Sequence, residues 1–233
     1  MKLSIIIPVY NEEKTIEIIL KRVMNIKLPI EKEIICVDDG STDNSSNIIK
    51  KLSFKNLFYY YKKNGGKGSA VRFGLSKASG DIFLIQDADL EYDPEDYIKL
   101  LEPILTNKTK VVYGSRYLSE KGHLKEHNHL TFKVHKIGNS FLTFLTSFLY
   151  SQRLTDMETC YKMFTRDVYE KITLNSNKFD IEPEITAKVL KEGYKIREIP
   201  INYYSRDYKE GKKITWKDGV KAVYTLLRYR FLK

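Results

Sequence analysis

The chain has 233 residues, with 40 Lys or Arg against 30 Asp or Glu and a formal net charge of +10. That length suits one sizeable α/β domain, 1–233, and 42% hydrophobic with 30% charged residues is ordinary for a soluble globular protein. No apolar run approaches the roughly 20 residues that span a bilayer. The opening run Leu3–Ile7 is too short for a signal h-region and breaks at Pro8, which predicts a cytoplasmic chain with only peripheral membrane contact. The charge surplus has a bland explanation, a solvated Lys-rich surface, and sharper ones: attraction to phosphate-bearing ligands, to nucleic acid or to an anionic membrane face. Cys36 and Cys160 lie far apart without zinc or redox spacing, so reduced, buried thiols are expected.

In chain order, short apolar runs alternate with helical stretches: Leu3–Val9, Glu12–Met24, Lys32–Val37, Thr42–Leu52, Leu57–Tyr61, Gly68–Ala78, Ile82–Gln86, Pro94–Leu105 and Lys110–Tyr113. This βαβ rhythm predicts a Rossmann-like, mostly parallel sheet flanked by helices. Runs without alternation, such as Ile5-Ile6-Ile7 and Ile34-Ile35-Cys36-Val37, suit strands buried on both faces. Beyond residue 117 comes a charged loop with His123, His127, His129 and His135, which lack a tight metal-ligand pattern. The segment Ile137–Tyr150 follows, with a helical stripe of Phe141, Leu142, Leu145, Phe148 and Leu149, widened by Phe144. Core packing is the preferred reading of that stripe over a lipid-facing one. A helix over Glu182–Lys191, a strand over Ile196–Tyr203 and a basic amphipathic helix over Trp216–Phe231 complete the chain.

Polar clusters fall where strands should end: Asn11-Glu12-Glu13, Asp38-Asp39-Gly40-Ser41, Asn64-Gly65-Gly66 and Asp87-Ala88-Asp89. Ligands of open α/β sheets bind outside the carboxyl ends of strands, so the four clusters should meet in one crevice. Asp87 and Asp89, with Glu91 two residues on, offer hard oxygen ligands suited to Mg²⁺ or Mn²⁺, the alternative being a solvated acidic loop. Ser41 or Thr42 is explained as a helix N-cap. Asp38 and Asp39 against an apolar strand are candidate acceptors for the donors of a base or ribose. The amides of Asn64-Gly65-Gly66-Lys67-Gly68 and the Lys67 ammonium are candidate phosphate neutralisers, with a plain glycine turn as the alternative. Arg116 after a predicted strand, Lys133–Lys136, Arg206, Lys212 and Lys213 supply cations, each also readable as a surface charge. Asp156 and Glu158 can be read as helix-start acids.

Together, Ile7-Pro8-Val9-Tyr10-Asn11-Glu12, Val37-Asp38-Asp39-Gly40-Ser41-Thr42-Asp43 and Asp87-Ala88-Asp89 resemble glycosyltransferase family 2, inverting enzymes of the GT-A fold. The likeness runs along nearly the whole chain. Gly65-Gly66-Lys67-Gly68-Ser69-Ala70, Gly114-Ser115-Arg116, Thr155–Lys162, Glu182-Pro183-Glu184 and Glu210–Ile214 resemble the polyprenyl-phosphate sugar synthases. The sequence departs from the dolichol-phosphate mannose synthases near 131–140, where His135 or Lys136 and Asn139 stand in place of their Arg and Ser. The resemblance implies a nucleotide-sugar half, 1–115, and an acceptor half, 116–233. In the first half, Pro8, Tyr10, Glu12 and Asp39 frame the nucleotide with Lys67 nearby, while Asp87, Ala88, Asp89 and Glu91 address metal and diphosphate. In the second half, Arg116, Arg206 and Lys213 gather phosphates.

The implied reaction moves a hexose from a nucleotide sugar of GDP-mannose or UDP-glucose type to a dolichyl or undecaprenyl phosphate. A phosphate acceptor is already anionic, whereas a sugar hydroxyl, the rival acceptor, needs a base, for which Asp156 or Glu158 is the candidate. Nucleic acid is not an expected partner, because a polyanion groove gains nothing from Asp87 and Asp89.

Overall fold

The computed structural model describes residues 1–118, 130–205 and 216–232, with the side chains of 130–136 and of Trp216 outside that description. The strands are β1 (Lys2–Val9), β2 (Glu31–Asp38), β3 (Leu57–Tyr61), β4 (Ile82–Ile85), β5 (Val111–Ser115), β6 (Lys162–Thr165) and β7 (Ile196–Pro200). They form a seven-stranded sheet in the order β3-β2-β1-β4-β6-β5-β7. Only β6 is antiparallel to its neighbours, β4 and β5, so the other six strands all point to the same edge. The chain lays β2 and β3 on one side of β1 and β4 on the other. The gap between β1 and β4 is therefore a topological switch point, where an open α/β sheet forms its ligand crevice.

Among the described residues the α-helices are α1 (Ile16–Asn25), α2 (Ser45–Lys51), α3 (Lys67–Lys77), α4 (Tyr97–Leu105), α5 (Leu130–Tyr150), α6 (Arg166–Lys171), α7 (Ile181–Lys191) and α8 (Trp216–Phe231). Strand β1 is buried on both faces from Leu3 to Ile7: Ile5, Ile6 and Ile7 are all buried, as are Ile34, Ile35 and Val37 beside them. Helix α3 lies directly on this layer at Gly74, where an added Cβ would stand 2.5 Å from Ile6. That close approach fixes where the N-terminus of α3, and hence Lys67, meets the strand ends. Cys36 and Cys160 are free and buried.

Several expected boundaries move, for local reasons. Helix α1 starts at Ile16 because the Glu12 carbonyl first closes a turn with the amides of Thr15 and Ile16. Helix α2 starts at Ser45, so Ser41 and Thr42 are not its cap. They bind the β1 loop instead, Ser41 Oγ accepting from Asn11 N–H at 3.0 Å and Thr42 N–H donating to Asn11 Oδ1 at 2.8 Å. Strand β7 stops at Pro200, and Tyr203 forms a separate bridge with Tyr92.

The stripe over Ile137–Tyr150 divides. Leu142 and Leu149 are buried, whereas Ile137, Phe141, Phe144 and Phe148 are between 56% and 74% exposed. Core packing therefore explains the leucines and not the phenylalanines. Helix α8 has the same division, with Ala222 and Leu226 buried against Leu142 and Leu149.

Candidate active site

The four polar clusters do meet, joined hand to hand along the carboxyl edge. At β1 and β2 the loops exchange the Asn11 bonds above, and Glu12 N–H donates to Ser45 Oγ at 2.8 Å. Asn11 adopts φ 52 here, a left-handed conformation that Asn tolerates better than most residues. From β2 to the loop after β3, Asp39 accepts from Gly65 N–H at 3.0 Å and Gly66 N–H at 2.7 Å, with Lys62 Nζ on the first oxygen. Asp38 is buried and accepts from Ser41 N–H and the Tyr59 hydroxyl. From that loop to β4, Lys67 Nζ stands 2.7 Å from Asp87 Oδ1.

The expectation that the glycine loop Asn64–Gly68 offers its amides to a phosphate is corrected for two of them, and the amide just beyond the loop is engaged as well. Gly65 and Gly66 donate to Asp39, and Ser69 N–H donates to the Asn177 carbonyl at 3.0 Å. Gly66 itself is at φ 95, and a Cβ there would stand 2.5 Å from that same carbonyl, so glycine is required by both backbone and space.

Pro8 ends up partly buried at the tip of β1, Tyr10 and Asn11 are exposed, and Glu12 accepts from the Thr15 hydroxyl at 3.0 Å. After β4, Ala88 and Asp89 are buried and Asp87 is partly exposed. Asp89 Oδ1 accepts from Glu91 N–H at 3.1 Å, and Glu91 Oε2 accepts from the Tyr203 hydroxyl at 2.9 Å. Among the described residues, no three His, Cys, Asp or Glu side chains gather as a ready-made metal cage. An ion that takes most of its shell from water and a diphosphate does not need one. The Lys67 ammonium against Asp87 shows that this carboxylate already receives a cation.

The second half of the crevice is built by β6 running backwards. Because it enters the sheet from the site edge, the run Thr155–Tyr161 before it lies beside the end of β5. There Asp156, fully buried, holds Arg116 through Nε and Nη2, both at 2.7 Å, and also accepts from the Arg116 amide. Asn139 on α5 adds a fourth bond at 3.3 Å. Burial opposes charge on Arg116, but the Asp156 carboxylate holds its pKa well above the ordinary value. The guanidinium lies 5.1 Å from the centre of the Tyr203 ring, so one tyrosine faces both Glu91 and Arg116.

Glu158 differs from Asp156: its Oε1 is buried without a hydrogen-bond partner, and burial pushes its pKa up to about 7. Of the two candidate bases, Asp156 has both oxygens held by Arg116 and Asn139, and Glu158 keeps an oxygen unengaged. Arg206, Lys212, Lys213, the four histidines and Lys133–Lys136 lie outside the described residues or side chains.

Sequence reasoning missed β6, α6 and a buried layer behind the site. Lys162, 0% exposed, donates to the carbonyls of Met157 and Thr159 and pairs with Glu182 at 2.8 Å, and Glu182 pairs in turn with Lys67 at 3.1 Å. The signal was a lysine inside the otherwise apolar run Tyr161–Phe164, since a lysine is almost never buried without a partner.

Comparison with known proteins agrees with this architecture. The sequence profile described as Glycosyl transferase family 2 matches residues 4–173. The UDP-N-acetylglucosamine–dolichyl-phosphate N-acetylglucosaminyltransferase of Methanococcus voltae is 30% identical over 98% of this chain and 96% of its own length. A dolichol-phosphate mannosyltransferase of Pyrococcus furiosus is 32% identical over 100% of this chain, which spans 64% of that protein. Among solved structures, glucosyl-3-phosphoglycerate synthase of Mycobacterium tuberculosis, in complex with Mn²⁺, uridine diphosphate and glucosyl-3-phosphoglycerate, superposes with a TM-score of 0.73. That match is at 17% identity and covers 100% of this chain and 81% of the other. The profile, the relatives and the sheet agree: this chain belongs to glycosyltransferase family 2, as a GT-A-fold glycosyltransferase similar to the polyprenyl-phosphate sugar synthase branch.

Proposed function

We propose that this enzyme transfers a hexose, with inversion, from a nucleotide sugar of GDP-mannose or UDP-glucose type to a dolichyl or undecaprenyl phosphate at the cytoplasmic face of a membrane. The donor end uses Pro8, Tyr10, Glu12 and Asp39 around the nucleotide, and Asp87 and Asp89, with Glu91 alongside, toward Mg²⁺ or Mn²⁺. When bound, that ion neutralises the charge developing on the departing nucleoside diphosphate. Arg116, pre-aligned by Asp156, presents a fixed cation to phosphate oxygens, joined in this reading by Arg206 and Lys213. A lipid monophosphate brings its own anionic nucleophile, so alignment and electrostatics suffice without a strong base.

The observation that carries the lipid acceptor is the double character of α5. Its inner face reaches the site through Asn139 and Asp156, while its outer face bears Ile137, Phe141, Phe144 and Phe148. Helix α8 packs on it, the Tyr150 hydroxyl donating to the Leu226 carbonyl, and exposes Val220, Tyr224, Leu227 and Phe231 at the same i, i+4, i+7, i+11 spacing. Lys217, Arg228 and Arg230 lie on the same helix as that second stripe, Lys221 being paired with Asp180 at 2.8 Å, against Asp218 alone among acids on α8. Apolar stripes with basic neighbours suit an anionic bilayer surface, and no helix among the described residues is long and apolar enough to cross a membrane.

A second reading, transfer to a sugar hydroxyl, is favoured by one observation, the unengaged Glu158 oxygen with a pKa near neutrality. Incubation with labelled nucleotide sugars, Mg²⁺ or Mn²⁺, and both a polyprenyl phosphate and a saccharide acceptor separates the two. Label in the lipid supports the first. Label in the saccharide alone, lost in Glu158→Gln, replaces it with the second.

A further inference from the structure

Behind the strand ends runs a line of alternating charges, Asp87, Lys67, Glu182 and Lys162, with separations of 2.7, 3.1 and 2.8 Å. Its inner end is buried. Lys162 is fully buried and held by two carbonyls as well as Glu182, and its ammonium sits 4.8 Å from the Tyr113 ring centre. Glu182 in the first turn of α7 is itself buried, and its two oxygens, which make no hydrogen bond, meet Lys67 and Lys162 as ion pairs only. The outer end is different. Asp87 is partly exposed, and Lys67, the first residue of α3, reaches it on a flexible four-carbon stem.

We infer that Lys67 is an internal counter-ion of the metal site: it neutralises Asp87 until a divalent cation takes that carboxylate, and then, still anchored by Glu182, it turns to the donor's diphosphate. The inference rests on the reading of Asp87 as a metal-facing residue. Its physical basis is exclusion of like charge. An ammonium 2.7 Å from Asp87 Oδ1 occupies the space and satisfies the charge that a divalent ion needs. Once displaced, it is a buried cation with half its compensation removed, for which phosphate oxygens are the natural replacement. Metal and nucleotide then favour one another, because the nucleotide supplies the partner that Lys67 loses when metal arrives, and such coupling is reciprocal. No bond is made or broken. Lys67 is a positioning residue that faces Asp87 and shares Glu182 with Lys162 in the unliganded enzyme.

The test is direct titration of the full chain with Mn²⁺ alone, followed by calorimetry or by the paramagnetic signal of free ion, in the parent and in Lys67→Met. Removing a neighbouring positive charge should tighten Mn²⁺ binding about tenfold. In the same variant, uridine or guanosine diphosphate should improve Mn²⁺ binding less than in the parent. Lys67→Arg should keep the coupling in part, since the charge is retained. If Lys67→Met does not fold, the double variant Lys67→Met with Glu182→Gln, which removes one charge of each sign, takes its place in the titration. Unchanged or weaker Mn²⁺ binding in a folded variant overturns the inference, as does equal coupling in parent and variant. Failure of the proposed function looks different: the Mn²⁺ effect persists, and no nucleotide sugar is turned over.

Discussion

The two halves of the crevice are built by different means. In the half proposed for the donor, residues near in sequence to a strand end hold the site largely through backbone groups: Asp39 by the amides of Gly65 and Gly66, Asp38 by Ser41 N–H, Asp89 by Glu91 N–H, with Lys62 and Tyr59 adding side-chain bonds. In the half proposed for the acceptor, side chains distant in sequence hold one another, with Arg116 on Asp156 and Lys162 on Glu182. A carboxylate held by amides can change charge and keep its place, because the amides stay. A buried ion pair that loses one partner leaves the other uncompensated. Substitutions in the donor half should therefore damage chemistry before fold, and those in the acceptor half should damage both.

The largest effect is expected at Arg116. Arg116→Met strands the fully buried Asp156 and should cost about 3–5 kcal/mol of stability, read as a lowered denaturation midpoint together with lost transfer. Asp89→Asn comes next. The amide oxygen still accepts from Glu91 N–H, so the denaturation midpoint should hardly move, while metal-dependent turnover falls by about 10²–10³. If Asp89→Asn unfolds the chain, or Arg116→Met leaves it as stable as the parent, the contrast between the halves is wrong.

Glu158 sharpens the comparison through pH. Burial raises it from 4.5 to about 7, so across that window the folded chain keeps a proton that the unfolded chain has released. Stability then falls as pH rises from about 4.5 to 7, and the loss is complete above it. Glu158→Gln should flatten this dependence, gaining on the order of 2–3 kcal/mol over the parent at pH 8 and nothing near pH 4, by chemical denaturation at each pH. The smallest effect on fold is expected on the outer face. Phe144→Ser with Phe148→Ser should change stability by less than about 0.5 kcal/mol, yet weaken sedimentation with anionic vesicles.

The same contrast explains what could be read from sequence. Clusters such as Asp38-Asp39 and Asp87-Ala88-Asp89 follow strands of uniform apolar character, and a parallel sheet must bring such ends to one edge. Strand β6 escaped because Lys162 interrupts its apolar run, and the residues that make a lysine tolerable there, Met157, Thr159 and Glu182, belong to other elements. Tyr203 was readable only as a strand residue, since its contacts with Glu91, Tyr92 and Arg116 come from segments up to 112 residues away. On α5, periodicity located one apolar helix but not its two faces, because leucines and phenylalanines at neighbouring positions differ only in what packs against them.

The most direct test of the account is transfer of labelled sugar to a polyprenyl phosphate embedded in anionic vesicles, with Mg²⁺ or Mn²⁺ present. The account predicts label in the vesicle fraction, lost with chelator and lost in both Asp89→Asn and Arg116→Met. Label that persists without metal, or a donor consumed with no label in lipid, would contradict it.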